Sequence, residues 1–69
     1  MKYNYSKLLG RLKEYNLTQV ELAKKIGKNI GTLSTKLNNK FAFTADEIDC
    51  ICEVLEIPND EIGKYFFAK

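Results

Sequence analysis

An all-α domain of about five short helices is predicted by three observations on this chain of 69 residues. Apolar residues recur at helical spacing in successive segments, no segment of useful length alternates with period two, and capping or helix-stop residues separate the segments. No linker, repeat or low-complexity stretch divides residues 1–69, so a single domain is expected.

The first helix rests on Tyr5, Leu8, Leu9 and Leu12, which step i, i+3, i+4, i+7, with Asn4 as N-cap and an end near Tyr15-Asn16. Thr18-Gln19-Val20-Glu21 is a capping box opening a second helix that carries Leu22, Ala23 and Ile26. Gly27 closes it, because a residue without Cβ accepts the left-handed conformation of a helix stop. Asn29 caps a third helix with Ile30, Leu33 and Leu37, and Asn38-Asn39 ends it. Thr44-Ala45-Asp46-Glu47 is a second capping box, followed by Ile48, Ile51, Cys52 and Leu55. Pro58-Asn59 breaks the chain before a short last helix with Ile62, Tyr65 and Phe66.

Composition excludes much chemistry. The chain has no histidine, so Ser-His-Asp and Cys-His catalysis and the usual zinc-finger ligand sets are impossible. Cys50 and Cys52 sit two apart, which on a helix points them roughly 200° apart and forbids a disulfide between them. No metal, cofactor or small-molecule ligand is expected, and no enzyme activity. Two free thiols, no apolar run of the ~20 residues that span a bilayer and no signal-like leader suit a cytoplasmic protein.

The net charge of +2 conceals a division. Residues 1–40 hold nine Lys or Arg against two Glu, a net of +7; residues 41–69 hold two Lys against seven acids, a net of −5. Such asymmetry suggests one half that meets a polyanion and one that avoids it.

Two short helices joined by a brief glycine-containing turn, at about residues 18–38, are the helix-turn-helix pattern. In that motif the first helix braces across the DNA backbone and the second lies in the major groove. On a wheel begun at Ile30, that residue, Leu33 and Leu37 fall within about 60° of arc. Gly31, Ser34, Thr35 and Asn38 form a polar, small-residued stripe centred roughly 115° away.

The run Leu17-Thr18-Gln19-Val20-Glu21-Leu22-Ala23-Lys24-Lys25-Ile26-Gly27, followed by Thr32-Leu33-Ser34, resembles the Cro/repressor-type helix-turn-helix of the Xre family. Thr32 to Lys40, Phe43-Thr44, Glu47-Ile48 and Tyr65-Phe66-Phe67 are similar to small single-domain phage and prophage regulators of Gram-positive bacteria. The resemblance implies a lambda-repressor-like five-helix domain that binds operator DNA, usually as two copies on a near-palindromic site. It also implies that Gln19 bonds a phosphate, that Asn29, Ile30, Gly31 and Thr35 face bases, and that Asn38 and Lys40 contact the backbone. The chain departs from the family pattern at four places, one of them Leu37, where many Xre proteins have glutamate though leucine is usual in the small phage regulators. Lys28 stands where an apolar residue is usual, Ile30 where a polar reader is common, and Asn39 where glycine is frequent.

The candidate DNA-binding set is therefore Gln19, Lys28, Asn29, Ile30, Gly31, Ser34, Thr35, Asn38 and Lys40. Packing at the core edge competes with thymine-methyl contact for Ile30, since the wheel joins it to Leu33 and Leu37. Apart from the short Asn38, the stripe lacks a side chain to pair a base bidentately. Specificity is therefore expected to be modest and to lean on methyl contacts from Thr35 or Ile30, on Lys28 and Asn29, and on DNA shape. Three adjacent aromatics at Tyr65–Phe67 cannot all face inward, which leaves one for a weak homodimer contact. The expected function is a sequence-specific transcriptional regulator acting by operator occupancy. The alternative is a protein-interaction module, antitoxin- or anti-repressor-like, that keeps the fold; large exposed apolar residues would mark it.

Overall fold

Four helices begin and end on local capping devices, and these punctuate the chain in the computed structural model. It describes residues 2–69; Met1, the first residue of the expected 1–69 domain, lies outside them. The elements are α1 (Ser6–Glu14), α2 (Gln19–Ile26), α3 (Ile30–Leu37), α4 (Ala45–Leu55), a 3-10 turn (Asn59–Glu61) and α5 (Ile62–Phe66). Among the described residues there is no strand, so the fold is all-α with five α-helices.

Both capping boxes form. Thr18 Oγ1 accepts the Glu21 N–H at 3.1 Å while Glu21 Oε1 accepts the Thr18 N–H at 2.9 Å. Thr44 and Glu47 repeat the arrangement at 3.2 and 2.8 Å. The Thr18 bonds hold the Glu21 carboxyl below the usual carboxylate range. Asn29 Oδ1 accepts the Thr32 N–H at 2.8 Å and so starts α3. In α1 the Asn4 side chain accepts the Ser6 N–H at 2.9 Å, while Tyr5 occupies the cap position itself.

The four longer helices each stop on a left-handed residue: Asn16, Gly27, Asn39 and Glu56. Behind each, an amide reaches back five residues to a helix carbonyl; Leu17 bonds Leu12, Lys28 bonds Ala23, Lys40 bonds Thr35 and Ile57 bonds Cys52. Asn39 adopts φ of 63°, which a short polar side chain tolerates where glycine is commoner. Glu56 is the unusual member, and a cation from α1 supports it. Arg11 Nε donates to the Leu55 carbonyl at 2.9 Å and Nη2 to the Glu56 carbonyl at 2.8 Å, satisfying carbonyls that the helix leaves free.

The core joins Tyr5, Leu8 and Leu12 of the N-terminal segment to Leu22, Ala23, Leu33, Ile51, Cys52, Leu55, Ile57, Tyr65 and Phe66. Helix α2 packs against α3 and α4, and α1 against α5. Two members of the predicted stripes are displaced. Leu9 lies at the rim of α1, exposed, and Ile30 is 40% exposed outside the core. Of the two cysteines, Cys52 is buried and Cys50 exposed.

One polar pair enters the interior. Glu47 is only 3% exposed, and both its carboxylate oxygens lie 2.5 Å from Lys36 Nζ on α3. Burial pushes the Glu47 carboxyl up, but the Lys36 ammonium and the Thr44 bonds together outweigh it and hold the group below its ordinary value. The pair ties the C-terminal half of α3 to the first turn of α4.

Candidate functional site

The α2–α3 face follows from local chemistry. The Thr18 box sets Gln19 as the first residue of α2, half-buried. Gly27, at φ of 74°, turns the chain, so that only Lys28 and Asn29 remain before α3 starts. Leu33, 1% exposed, anchors α3 inward. Gly31 and Asn38 are exposed while Ser34 and Thr35 are half-buried, so the polar stripe expected on α3 is present and open.

The stripe is partly engaged with itself. Thr35 Oγ1 donates to the Thr32 carbonyl at 2.8 Å, so its proton is used within the helix and its methyl and lone pairs remain. Asn38 Nδ2 approaches Ser34 Oγ at 3.5 Å, a long contact that an external partner would readily replace. Lys40 is exposed one residue past Asn39, with its backbone tied to α3.

Lys28 stands in a setting the charge division did not foresee. It lines an open cleft of about 350 Å³ together with Ile26, Asp46, Glu47, Asp49 and Cys50, so it shares that cleft with acidic residues of the α4 start. The basic half and the acidic half therefore adjoin at the turn.

Ile30 resolves toward the surface. As the first helical residue of α3 it precedes the turn that Leu33 buries, and the wheel cannot register that the packed neighbour begins further along. Val20, at the start of α2, is 47% exposed. Large apolar side chains are thus exposed near the starts of both helices. Phe41 and Phe67 are more exposed still, at 67% and 50%. Val20 was recognisable as lying off the Leu22/Ala23/Ile26 stripe; Phe41 sits between helices, where no periodicity assigns it a side. Tyr65 and Phe66 are buried and Phe67 is the outward member of the three aromatics.

No helix is long and apolar enough to cross a membrane. No cluster of three or more Cys, Asp or Glu residues suited to a metal ion occurs among the described residues.

A family model described as "Protein of unknown function (DUF739)" matches residues 1–69. Among solved structures, the chain is similar to the solution structure of the modulator of repression (MOR) of the temperate bacteriophage TP901-1 from Lactococcus lactis. The two are 43% identical, the match covers 97% of this chain and 90% of that one, and the TM-score is 0.82. No curated protein matches the chain.

Proposed function

The chain belongs to the DUF739 family, and on that premise we propose that it is a phage-type regulator that modulates repression by binding a repressor protein. The likeness to the TP901-1 modulator, at 43% identity over nearly all of both chains, carries this reading. The surface supports it, since Val20, Ile30, Phe41 and Phe67 present the large exposed apolar groups that a protein partner buries. In this role the chain is one domain over residues 1–69, works in the cytoplasm where the repressor works, and catalyses nothing.

The test is a fluorescence titration of labelled operator duplex with the repressor on which the chain is proposed to act, in the presence and absence of the chain. The expected result is that the chain shifts the repressor–operator titration at concentrations where, alone, it leaves the duplex unbound. Tight binding of the chain to the operator with no influence on the repressor would refute the proposal.

The open α3 stripe favours a second reading, operator binding through a Cro/repressor-type helix-turn-helix at about residues 18–38. In it Gln19, Lys28, Asn38 and Lys40 hold phosphates while Asn29, Ile30, Gly31, Ser34 and Thr35 face bases, with two weakly associated copies on a near-palindromic site. Lys40→Ala then lowers the slope of log affinity against log salt by about 0.9 on every duplex. Thr35→Gln changes the preferred base, because the longer amide reaches adenine. If Lys40→Ala alters sequence preference, or Thr35→Gln weakens all duplexes equally, α3 does not read DNA this way.

A further inference from the structure

Three segments distant in sequence meet beside the end of α3. Asn39, turned into the left-handed conformation, grips the N-terminal segment with both ends of its amide. Its Oδ1 accepts the Tyr3 N–H at 2.8 Å and its Nδ2 donates to the Tyr3 carbonyl at 3.0 Å. The Asn4 N–H donates to the Ala68 carbonyl at 2.7 Å, which brings in the C-terminal segment. An aromatic chain then runs outward from the core. Phe66 meets Phe43 at 5.5 Å, Phe43 meets Tyr5 at 5.5 Å, Tyr5 meets Tyr3 at 6.3 Å, and Tyr3 meets Phe67 edge-on at 5.6 Å.

Between these segments lies an open groove of about 240 Å³ lined by Tyr3, Tyr5, Asn39, Lys40, Phe41 and Ala42. A smaller pocket that shares Tyr3, Tyr5 and Ala42 continues it toward Phe67. Phe41 forms a wall of the groove while two thirds exposed, although an isolated phenylalanine ring gains nothing from standing in water. The groove is smaller than a drug-sized ligand requires, and it suits a large side chain of a partner. The charged residues that line it or adjoin its segments in sequence are of one sign. Lys40 lines it, Lys2 adjoins Tyr3, and Lys69 Nζ lies 6.0 Å from the centre of the Tyr3 ring. No Asp or Glu occurs in residues 1–13, 38–45 or 62–69.

From this geometry we infer that the Tyr3–Phe41 groove is the docking site for an acidic segment of a partner protein, one large apolar side chain entering the groove and flanking carboxylates meeting Lys2, Lys40 and Lys69. The inference deepens the protein-binding reading above and rests on it for the identity of the partner. A second copy of this chain does not supply such a segment. Its exposed α4 carboxylates Asp46, Asp49 and Glu53 have only Ala45 and Cys50 exposed among them, and Glu21 has beside it only Val20, an apolar side chain smaller than the groove suits. Duplex DNA offers phosphates to the lysines, but it buries an aromatic side chain only at the cost of unstacking base steps.

The test has two arms on the full chain. In the first, amide chemical shifts are followed while a hexapeptide of sequence DELFED, blocked at both ends, is added, with KKLFKK as its charge-reversed control. DELFED should move the amides of Tyr3, Asn39, Phe41, Ala42 and Phe67, and KKLFKK should leave them in place; movement confined to α2 and α3, or equal movement by both peptides, overturns the inference. In the second arm, association with the repressor is measured for the parent chain, Phe41→Ala, Lys40→Glu and the remote control Lys13→Ala. Phe41→Ala should weaken association tenfold or more and Lys40→Glu severalfold, with Lys13→Ala within twofold and thermal melts unchanged. Parent-like association of both Phe41→Ala and Lys40→Glu overturns the inference while leaving the repressor-binding function standing. If the parent chain does not bind the repressor, the protein-binding reading fails and the peptide map alone decides the groove. Protection of these same amides by duplex DNA, and not by DELFED, assigns the surface to nucleic acid and also overturns it.

Discussion

Lys36→Met should destabilise the fold by about 2–4 kcal/mol at neutral pH, because it strands a carboxylate in the interior. Removing one partner of a buried ion pair costs about 3–5 kcal/mol. Two features of the structure lower that figure: the Lys36 side chain keeps 13% exposure, and Glu47 retains the Thr44 N–H at 2.8 Å. For a domain of this size, stability is roughly 3–10 kcal/mol in all, and each kcal/mol moves the melting temperature by about 4–8 °C. The loss should therefore be plain in a thermal or urea melt followed by circular dichroism. Its pH dependence identifies the cause. In the parent chain Glu47 titrates below its unfolded value, so its contribution is complete above the ordinary carboxylate range and is lost as pH falls through the lowered folded value. In Lys36→Met only burial and the Thr44 bonds act on Glu47, its folded value rises, and acid relieves the strain. The two stability curves should stand furthest apart near pH 7 and converge below about pH 4.5. Adding Glu47→Gln to Lys36→Met should recover part of the loss, since it removes the stranded charge and keeps an acceptor for Thr44. A difference under about 0.5 kcal/mol at pH 7, or one that stays constant down to pH 3.5, would refute the reasoning.

Cys52→Ser should cost about 1–3 kcal/mol by placing a hydroxyl among apolar neighbours, whereas Cys50→Ser should stay within about 0.5 kcal/mol in the same melts. Burial raises the Cys52 thiol above its ordinary value, so in the folded protein a thiol reagent should modify Cys50 first and Cys52 only on unfolding. Gly27→Ala should destabilise by about 1–2 kcal/mol, since φ of 74° strains any residue with a Cβ although open space surrounds it; urea midpoints would show this. Asn39→Gly keeps the left-handed turn but removes the amide grip on Tyr3, so it should cost about 1–2 kcal/mol and speed hydrogen exchange at the Tyr3 amide.

The helices and their ends were legible in the amino-acid order because the forces that make them are local. Thr18 with Glu21, Thr44 with Glu47, Asn29 with Thr32, and the stops at Gly27 and Asn39 each act within a few residues, where helical geometry alone sets the distances. The α3 stripe was legible for the same reason, since 3.6 residues per turn separates Leu33 from Gly31, Ser34, Thr35 and Asn38 without reference to anything else. What lies across a gap between elements was not. Lys36 reads as one more solvated lysine until α4 brings Glu47 against it, and Arg11 as a surface cation until the end of α4 offers it two carbonyls. Ile30 belongs to the apolar arc of its wheel, yet burial depends on how fully neighbouring elements cover that turn, and there it stays 40% exposed outside the core. Lys28 falls in the basic half of the chain and still shares a cleft with Asp46 and Asp49, because folding joined two segments that the sequence holds eighteen residues apart or more. Phe41 lies outside every helix, so only the tertiary arrangement of Tyr3, Asn39 and Ala42 decided that its ring would wall a groove instead of entering the core.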